Sequence, residues 1–150
     1  MSRPTQILPE HHKQCDDLFV AAEEAVNRSE WPAAATAFMR FRGDMEAHFA
    51  AEEEVLFPAF ESATGMTEGP TQMMRHEHGQ MRRLLDQLSM ACTAHDSDAY
   101  AGLTETLLML MQQHNMKEEH ILYPMCDQAL DSPEAGVSAQ LQALLDHAHA

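Results

Sequence analysis

The sequence predicts an all-α fold: an up-down-up-down antiparallel four-helix bundle followed by a short C-terminal fifth helix. Along four stretches, apolar residues recur in alternating steps of three and four, which is typical of helices that pack at a small angle. Helix-favouring Met, Ala and Leu are abundant, with twelve Met in 150 residues, and β-branched residues form no long run. The segment HFAAEEEVLFPAF at 48–60 also returns as HNMKEEHILYPMC 66 positions later. Such a repeat indicates two similar halves.

Capping and turn residues predict where each helix begins and ends. The first helix is expected to begin near Pro9, or a few residues earlier, and a bend is expected at Pro58 inside the second. The stretch TGMTEGP at 64–70 connects the halves. The five predicted helices are about 9–28, 31–61 and 70–94, a fourth capped by Asp96, and a fifth after SPEAG that packs Leu141, Leu144 and Leu145 on the bundle.

Length and composition indicate one domain over 1–150 and a cytoplasmic location. The formal charge of −15 disfavours binding to nucleic acid or to anionic membrane surfaces. The three cysteines include no C-x-x-C pair, so a disulfide framework is not expected and a reducing compartment is. No apolar run approaches the ~20 residues that a membrane span needs.

Polar side chains interrupt the apolar stripes of all four helices. Burying several carboxylates and imidazoles together is costly unless bound cations compensate. The i, i+4 spacing of His and Glu places both on one helix face, and each carboxylate has two oxygens that can bridge two metals. Imidazole and carboxylate suit iron, manganese or zinc. The sequence therefore predicts a two-metal site formed by His12, His48, Glu52, His78, His114 and Glu118.

The other polar candidates have simpler interpretations, because a single His-x-x-x-Glu is common on exposed helices. Glu53 and Glu119 are expected in solvent or beside the ligands, although Glu119 or His11 could replace an assigned ligand. Cys15 is interpreted as a buried thiol. Tyr123 could offer a hydroxyl near the metals, but packing like its counterpart Phe57 is the favoured interpretation. The histidines expected at the surface are His11, His76, His95, His120, His147 and His149.

At these residues the sequence resembles the hemerythrin-like HHE cation-binding family. The matching segments, EHHKQCDDLF, HFAAEEEVLFP, RHEHGQMRRLL and HNMKEEHILYP, span about 10–126. The resemblance implies a non-haem centre of two iron ions, completed by oxo, hydroxo or water and open to substitution by manganese or zinc. The four histidines of the predicted site would be terminal ligands, and Glu52 and Glu118 would bridge.

The chain departs from oxygen-carrying hemerythrins on its third helix. Those proteins have a further His one turn from the first, where this chain has Met74 and Arg82 four positions either side of His78. The set of four His and two Glu looks more like the di-iron repair proteins of nitrosative stress. An open iron position is therefore expected, since no fifth His fills it.

Three functions follow as hypotheses. The leading one is a protein, not itself an enzyme, that binds or senses O2 or NO at the open iron position. The second is an oxidase, peroxidase or NO reductase that uses the same metals. The third is iron storage or delivery, including iron-sulfur repair under nitrosative stress. The expected partners are O2 or NO and a redox or iron-acceptor protein, and the oligomeric state is left open.

Overall fold

The computed structural model describes residues 3–130 and 135–147, which contain helices and no β-strand. None of the described helices is both long and apolar enough to cross a membrane. Two π-helical turns interrupt the second and fourth long helices, and they are called the first and the second π turn. In chain order the elements are α1 (Pro4–Asn27), α2 (Trp31–Ala51), the first π turn (Glu52–Leu56), α3 (Phe57–Thr64), α4 (Pro70–Thr93), α5 (Ser97–Lys117), the second π turn (Glu118–Leu122), α6 (Tyr123–Ala129) and α7 (Ala135–His147).

The helices form the predicted bundle. Helix α1 packs against α2, and α4 packs against α5. Further contacts between α1 and α5 and between α2 and α4 close the four-sided arrangement. Short turns within each half make its two helices antiparallel neighbours. The predicted all-α antiparallel bundle is therefore confirmed.

The repeat extends to the turn inside each half. Ser29 and His95, which lie 66 positions apart, both adopt a left-handed backbone, with φ of 55° and 54°. The residue after each donates its backbone N–H to the carbonyl five residues back, at 3.0 Å in the first half and 2.9 Å in the second. The two halves thus share their turn as well as their helices.

The first helix begins at Pro4, at the early end of the predicted range. Proline suits the first helical position because its missing N–H would have no partner there. The side chain of Gln6 accepts a hydrogen bond from the backbone N–H of Arg3 at 2.9 Å, which caps this end. At the start of α5, Asp96 accepts from the N–H of Ala99 at 3.0 Å, as its predicted capping role requires.

The bend predicted at Pro58 is a π-helical turn that ends just before it, and Pro124 follows an identical turn in the second half. A proline has no N–H, and its ring clashes with the carbonyl four residues earlier in an ordinary α-helix. In both turns, the N–H of the residue before the proline instead bonds to the carbonyl of the glutamate five positions back. The wider turn accommodates the proline and rotates the side chains that follow it.

Two apolar clusters lie along the bundle. One surrounds Phe41 and Leu85, and the other surrounds Phe57 and the leucines of α7. Leu141 and Leu145 are buried and Leu144 is half-buried, as predicted for the fifth helix. Helix α7 packs against α1, α2 and the first π turn, so it covers the end of the bundle at which that turn lies.

We expect Leu141→Ala to lower the free energy of unfolding by about 2–5 kcal/mol, because it removes a fully buried side chain and leaves a cavity. Urea denaturation followed by circular dichroism measures the change. Gln140, on the exposed face of the same helix, provides the control variant Gln140→Ala, which should be nearly neutral. Equal effects of the two variants would mean that α7 does not pack on the bundle as described.

Candidate metal centre

The structure brings all six predicted ligands to one level of the bundle. The four histidines come one each from α1, α2, α4 and α5, and the two glutamates are the first residues of the two π turns. Every one of the six is at most 5% exposed. Helical spacing placed them on inward stripes, and antiparallel packing placed the stripes at the same height.

The ligand atoms form two groups that share a residue. One group contains Glu52, His78, His114 and Glu118, and the other contains His12, His48 and Glu118, with all atoms of a group within 4.8 Å of one another. Glu52 also extends between the groups, because its Oε1 lies 2.9 Å from His78 Nε2 and its Oε2 lies 3.6 Å from His48 Nε2. Both carboxylates therefore lie between two pairs of imidazoles.

Glu118 approaches imidazoles from three different helices. Its Oε1 lies 3.1 Å from His12 Nε2, 3.3 Å from His114 Nε2 and 3.9 Å from His48 Nε2. One carboxylate oxygen is thus within 4 Å of imidazoles from three helices. Each of these imidazoles presents Nε2 to the carboxylate, as a set of ligands around a cation does.

Several of these buried atoms lack a hydrogen bond among the described residues: Glu52 Oε1, Glu118 Oε2, His78 Nε2 and His114 Nε2. Glu52 Oε1 and His78 Nε2 approach to 2.9 Å without the alignment of a hydrogen bond. Each buried polar atom left in this way costs about 1–3 kcal/mol. A cation that accepts lone pairs from both residue types would remove this cost. The donor set therefore fits a metal such as iron, manganese or zinc.

Three of the four histidines are oriented by a glutamate at Nδ1. A carboxylate there holds the proton on Nδ1 and leaves the Nε2 lone pair for a metal. This confirms that Glu53 and Glu119 lie beside the predicted ligands. Glu77, which sequence reasoning missed, has the same role. The three contacts are His12 with Glu119 at 2.6 Å, His78 with Glu53 at 2.7 Å and His114 with Glu77 at 2.7 Å.

Surface cations hold two of these glutamates in the ionised form. Arg82 donates to both oxygens of Glu53, at 2.9 Å and 3.0 Å. Burial alone would raise the pKa of Glu53, but hydrogen bonds from His78 and Arg82 lower it to about 2. Lys117 donates to Glu77 at 2.6 Å; burial opposes the shift, yet the bonds from Lys117 and His114 lower the pKa of Glu77.

The favoured interpretation of Tyr123, packing like Phe57, is wrong. Its hydroxyl lies 2.7 Å from Glu52 Oε2 and 2.9 Å from Glu118 Oε1, and also within 3.4 Å of Nε2 of His48 and His12. In an α-helix a residue five after Glu118 would point away from it. The second π turn returns that residue to the same side, so the alternative of a hydroxyl near the ligands is correct.

The expectation that His11 lies at the surface is also wrong. His11 is 3% exposed, and its Nδ1 lies 2.9 Å from Nδ1 of His48. Its Nε2 lies 3.6 Å from Oδ2 of the buried Asp44. Helix α1 buries a wider face than its central stripe, because His11 contacts α2 while the neighbouring His12 contacts the second π turn. Cys15 is a buried thiol as predicted, and burial raises its pKa.

The remaining histidines agree with expectation where they are described. His76, His95 and His120 are exposed, and the His95 ring stacks on Trp31 with centroids 4.8 Å apart. The side chains of His147 and His149 lie outside the described residues.

Charge in the metal-free site is balanced between imidazoles and carboxylates. Burial alone would lower the pKa of His48, but Glu52 and Glu118 raise it to about 9. His114 reaches about 9 in the same way, mainly through Glu118. Burial opposes the ionisation of Glu118, but His114 and its other partners lower its pKa well below the usual 4.5.

Comparison with protein families matches residues 3–126 to the family described as Hemerythrin HHE cation binding domain. This confirms the resemblance inferred from the four helical segments. The chain is also 33% identical over 94 residues to a protein of Edwardsiella ictaluri (strain 93-146) named iron-sulfur cluster repair protein YtfE. That match covers 55% of this chain and 42% of the relative, so the chain spans less than half of the relative's length. No solved structure matches.

We expect the metal-free protein to be most stable between about pH 4.5 and 6.5. The pKa of His48 and His114 is raised from 6.5 to about 9 in the folded protein, so their contribution is complete below pH 6.5 and is lost as pH rises through 9. The pKa of Glu118 is lowered from 4.5, so its contribution is lost as pH falls below that value. Urea unfolding of chelator-treated protein across this range measures the profile.

Two variants check the cause of that profile. His114→Gln should flatten the decline between pH 6.5 and 9, whereas His76→Ala, at an exposed position, should leave it unchanged. A metal-free protein whose stability increases from pH 6.5 to 9 would contradict the balance of charges described for the site.

We expect Tyr123→Phe to destabilise the metal-free protein by about 1–3 kcal/mol, because it removes a hydroxyl that lies within hydrogen-bond distance of two buried carboxylates. Urea denaturation measures the loss. Tyr100 is also buried but belongs to the other apolar cluster, so Tyr100→Phe is the matched control and should have a smaller effect. If both variants lose the same stability, the hydroxyl of Tyr123 has no special role in the site.

Proposed function

The chain belongs to the hemerythrin HHE cation-binding domain family, and we propose that it holds two iron ions and binds O2 or NO at them. The observation that supports two ions is the division of the ligands into two groups that share Glu118. A single ion in either group would leave the imidazoles of the other group facing carboxylates with no cation between them.

The two proposed positions have different ligands. The first position would be held by His78, His114, Glu52 and Glu118, and the second by His12, His48 and Glu118. The second group has one ligand fewer, with Glu52 approaching only its His48, at 3.6 Å. An exogenous ligand is therefore expected there. When bound, iron supplies an electron-rich, open coordination position for a diatomic ligand.

The enclosure of the site favours a small ligand. Phe49 covers the ring of His78, with centroids 4.2 Å apart, and Phe57 approaches the same ring at 5.8 Å. The six ligands are almost completely buried. O2 and NO are small and uncharged enough to enter such a site, whereas a larger or charged substrate would require side chains to move.

Tyr123 gives the second position a hydrogen-bond donor. Its hydroxyl lies 3.3 Å from His48 Nε2 and 3.4 Å from His12 Nε2, on the side where the exogenous ligand is expected. Buried donors of this kind stabilise negative charge more strongly than solvent-exposed ones. In the metal-free site the one proton of this hydroxyl is directed at Glu52 and Glu118, so a diatomic ligand bound nearby would compete with the carboxylates for it.

Iron delivery for the repair of iron-sulfur clusters is the second candidate. It is favoured by the relative named iron-sulfur cluster repair protein YtfE. His12 is a proposed ligand of the second position, and it is hydrogen-bonded to Glu119. The side chain of Glu119 is 35% exposed. This side of the site is therefore close to solvent, and iron could leave through it to an acceptor protein.

The deciding experiment is an anaerobic titration with Fe(II), followed by exposure to O2 or NO and then purging. We expect about two iron ions per chain and a visible absorption band that appears with the gas and fades when it is removed. Irreversible oxidation of the iron would favour an oxidase or a related enzyme. Rapid transfer of iron to an apo acceptor would favour delivery, and binding of no iron would overturn the proposal.

Substitution of the proposed ligands tests which residues hold the iron. Glu118→Ala should prevent both ions from binding because both groups share that residue, whereas His48→Ala should remove about one ion per chain. His76→Ala is the control, since His76 is exposed on α4. Iron content after gel filtration measures the effect, and equal retention by all three variants would contradict the ligand assignment.

A further inference from the structure

His48 is oriented differently from the other three histidines of the centre. Those three each place Nδ1 against a glutamate, at 2.6–2.7 Å, whereas His48 places Nδ1 against His11. The repeat explains where the difference arises. The residue 66 positions after His11 is Glu77, which orients His114, so His11 occupies the place that a glutamate has in the second half.

The contact between the two rings has the geometry of a hydrogen bond in one plane. The nitrogens are 2.9 Å apart, the ring planes are inclined by only 7°, and the centroids are 5.1 Å apart. With parallel planes and so short a nitrogen distance, the rings must lie edge to edge instead of face to face. One Nδ1 must therefore donate a proton and the other must accept it.

A buried carboxylate stands on the far side of His11. Asp44 is 2% exposed, and its Oδ2 lies 3.6 Å from His11 Nε2. The residue 66 positions after Asp44 is Leu110, so the second half has no acid at this place. The first half thus has the imidazole of His11 in place of the glutamate, and it has an additional carboxylate, Asp44, on the side of His11 that faces away from His48.

We propose that His11 and Asp44 are positioning residues that orient His48 through a chain of two imidazoles and a carboxylate. The carboxylate of Asp44, whose Oδ2 lies 3.6 Å from His11 Nε2, favours the proton of His11 on that nitrogen, which makes Nδ1 of His11 an acceptor. His48 then donates Nδ1–H to His11 and directs its Nε2 towards Glu52 and Glu118, where that nitrogen would be available to a metal. This assignment adds to the proposed function, because its predicted effect on metal binding rests on the proposed centre of two iron ions.

The contacts of His48 with His11, and of His11 with Asp44, affect one proposed iron position only. His48 belongs to the second position, whereas the first position contains His78 and His114, which have their own glutamates. Loss of a group that orients a metal-bound histidine typically weakens affinity about 10–100-fold. Disruption of the contacts between His48, His11 and Asp44 should therefore weaken the binding of one iron ion by this factor and leave the other ion bound.

The first experiment is an anaerobic Fe(II) titration that compares wild type with three variants of the site: His11→Phe, Asp44→Leu and His11→Gln. We expect His11→Phe and Asp44→Leu to retain one ion and to bind the second about 10–100-fold more weakly. His11→Gln should restore most of the affinity, because its amide both accepts from His48 and donates to Asp44. His76→Phe serves as the matched surface control, and circular dichroism verifies that every variant is folded.

A purely structural role would give a different pattern. If His11→Gln loses iron as severely as His11→Phe, or if folded variants lose both ions together, hydrogen bonding through His11 is not what orients His48, and the proposal is overturned.

The second experiment uses metal-free protein, so its outcome does not depend on whether the site binds two iron ions. Nitrogen NMR of ¹⁵N-histidine-labelled wild type should show His11 with its proton on Nε2 and a hydrogen-bonded proton on Nδ1 of His48. A proton on Nδ1 of His11 would overturn the positioning assignment. Wild-type protein with this proton arrangement but with fewer than two ions would refute the dinuclear centre while leaving the orientation of His48 established.

Discussion

The burial of two carboxylates among four imidazoles is the constraint on which the rest of the molecule depends. An isolated buried charge costs several kcal/mol, and only well-aligned partners repay that cost. In this structure the partners of the buried charges form series of contacting side chains that run from the bundle axis to the surface. One such series contains Glu52, His78, Glu53 and Arg82. Opposite charges alternate along the series, so the electrostatic stability of the site extends to side chains that no metal would touch.

The repeated backbone makes the differences between the halves informative. Helices, turns and π turns recur at the same offset, so a changed side chain acts on an unchanged scaffold. Tyr123 corresponds to Phe57, and its hydroxyl reaches towards His12 and His48. Because His11 also belongs to this side, the two proposed iron positions have unequal surroundings. Inequivalence of this kind suits a centre in which one iron is held firmly and the other exchanges its ligand.

The sequence predicted the bundle and the convergence of six side chains because both depend on α-helical periodicity. Tyr123 was assigned the wrong surroundings because a spacing of five residues leaves the helix face unless the backbone widens. Pro124 alone does not reveal that widening, since a proline can equally kink a helix or end it. His11 lies one position from the apolar stripe, and its buried contacts are with His48 and Asp44 of another helix. Contacts of that kind are set by packing, which periodicity does not describe.

The π turns connect the proline, the carboxylate and the tyrosine into one local unit. In each half the turn begins at the predicted bridging glutamate and ends just before a proline. The proline disfavours the α-helical hydrogen bond, and the wider turn that results places the side chain five residues after the glutamate over the site. Phenylalanine at that place supplies an apolar wall, and tyrosine supplies a wall with a donor. The identity of this one ring therefore determines whether a half encloses the centre or also donates a hydrogen bond to it.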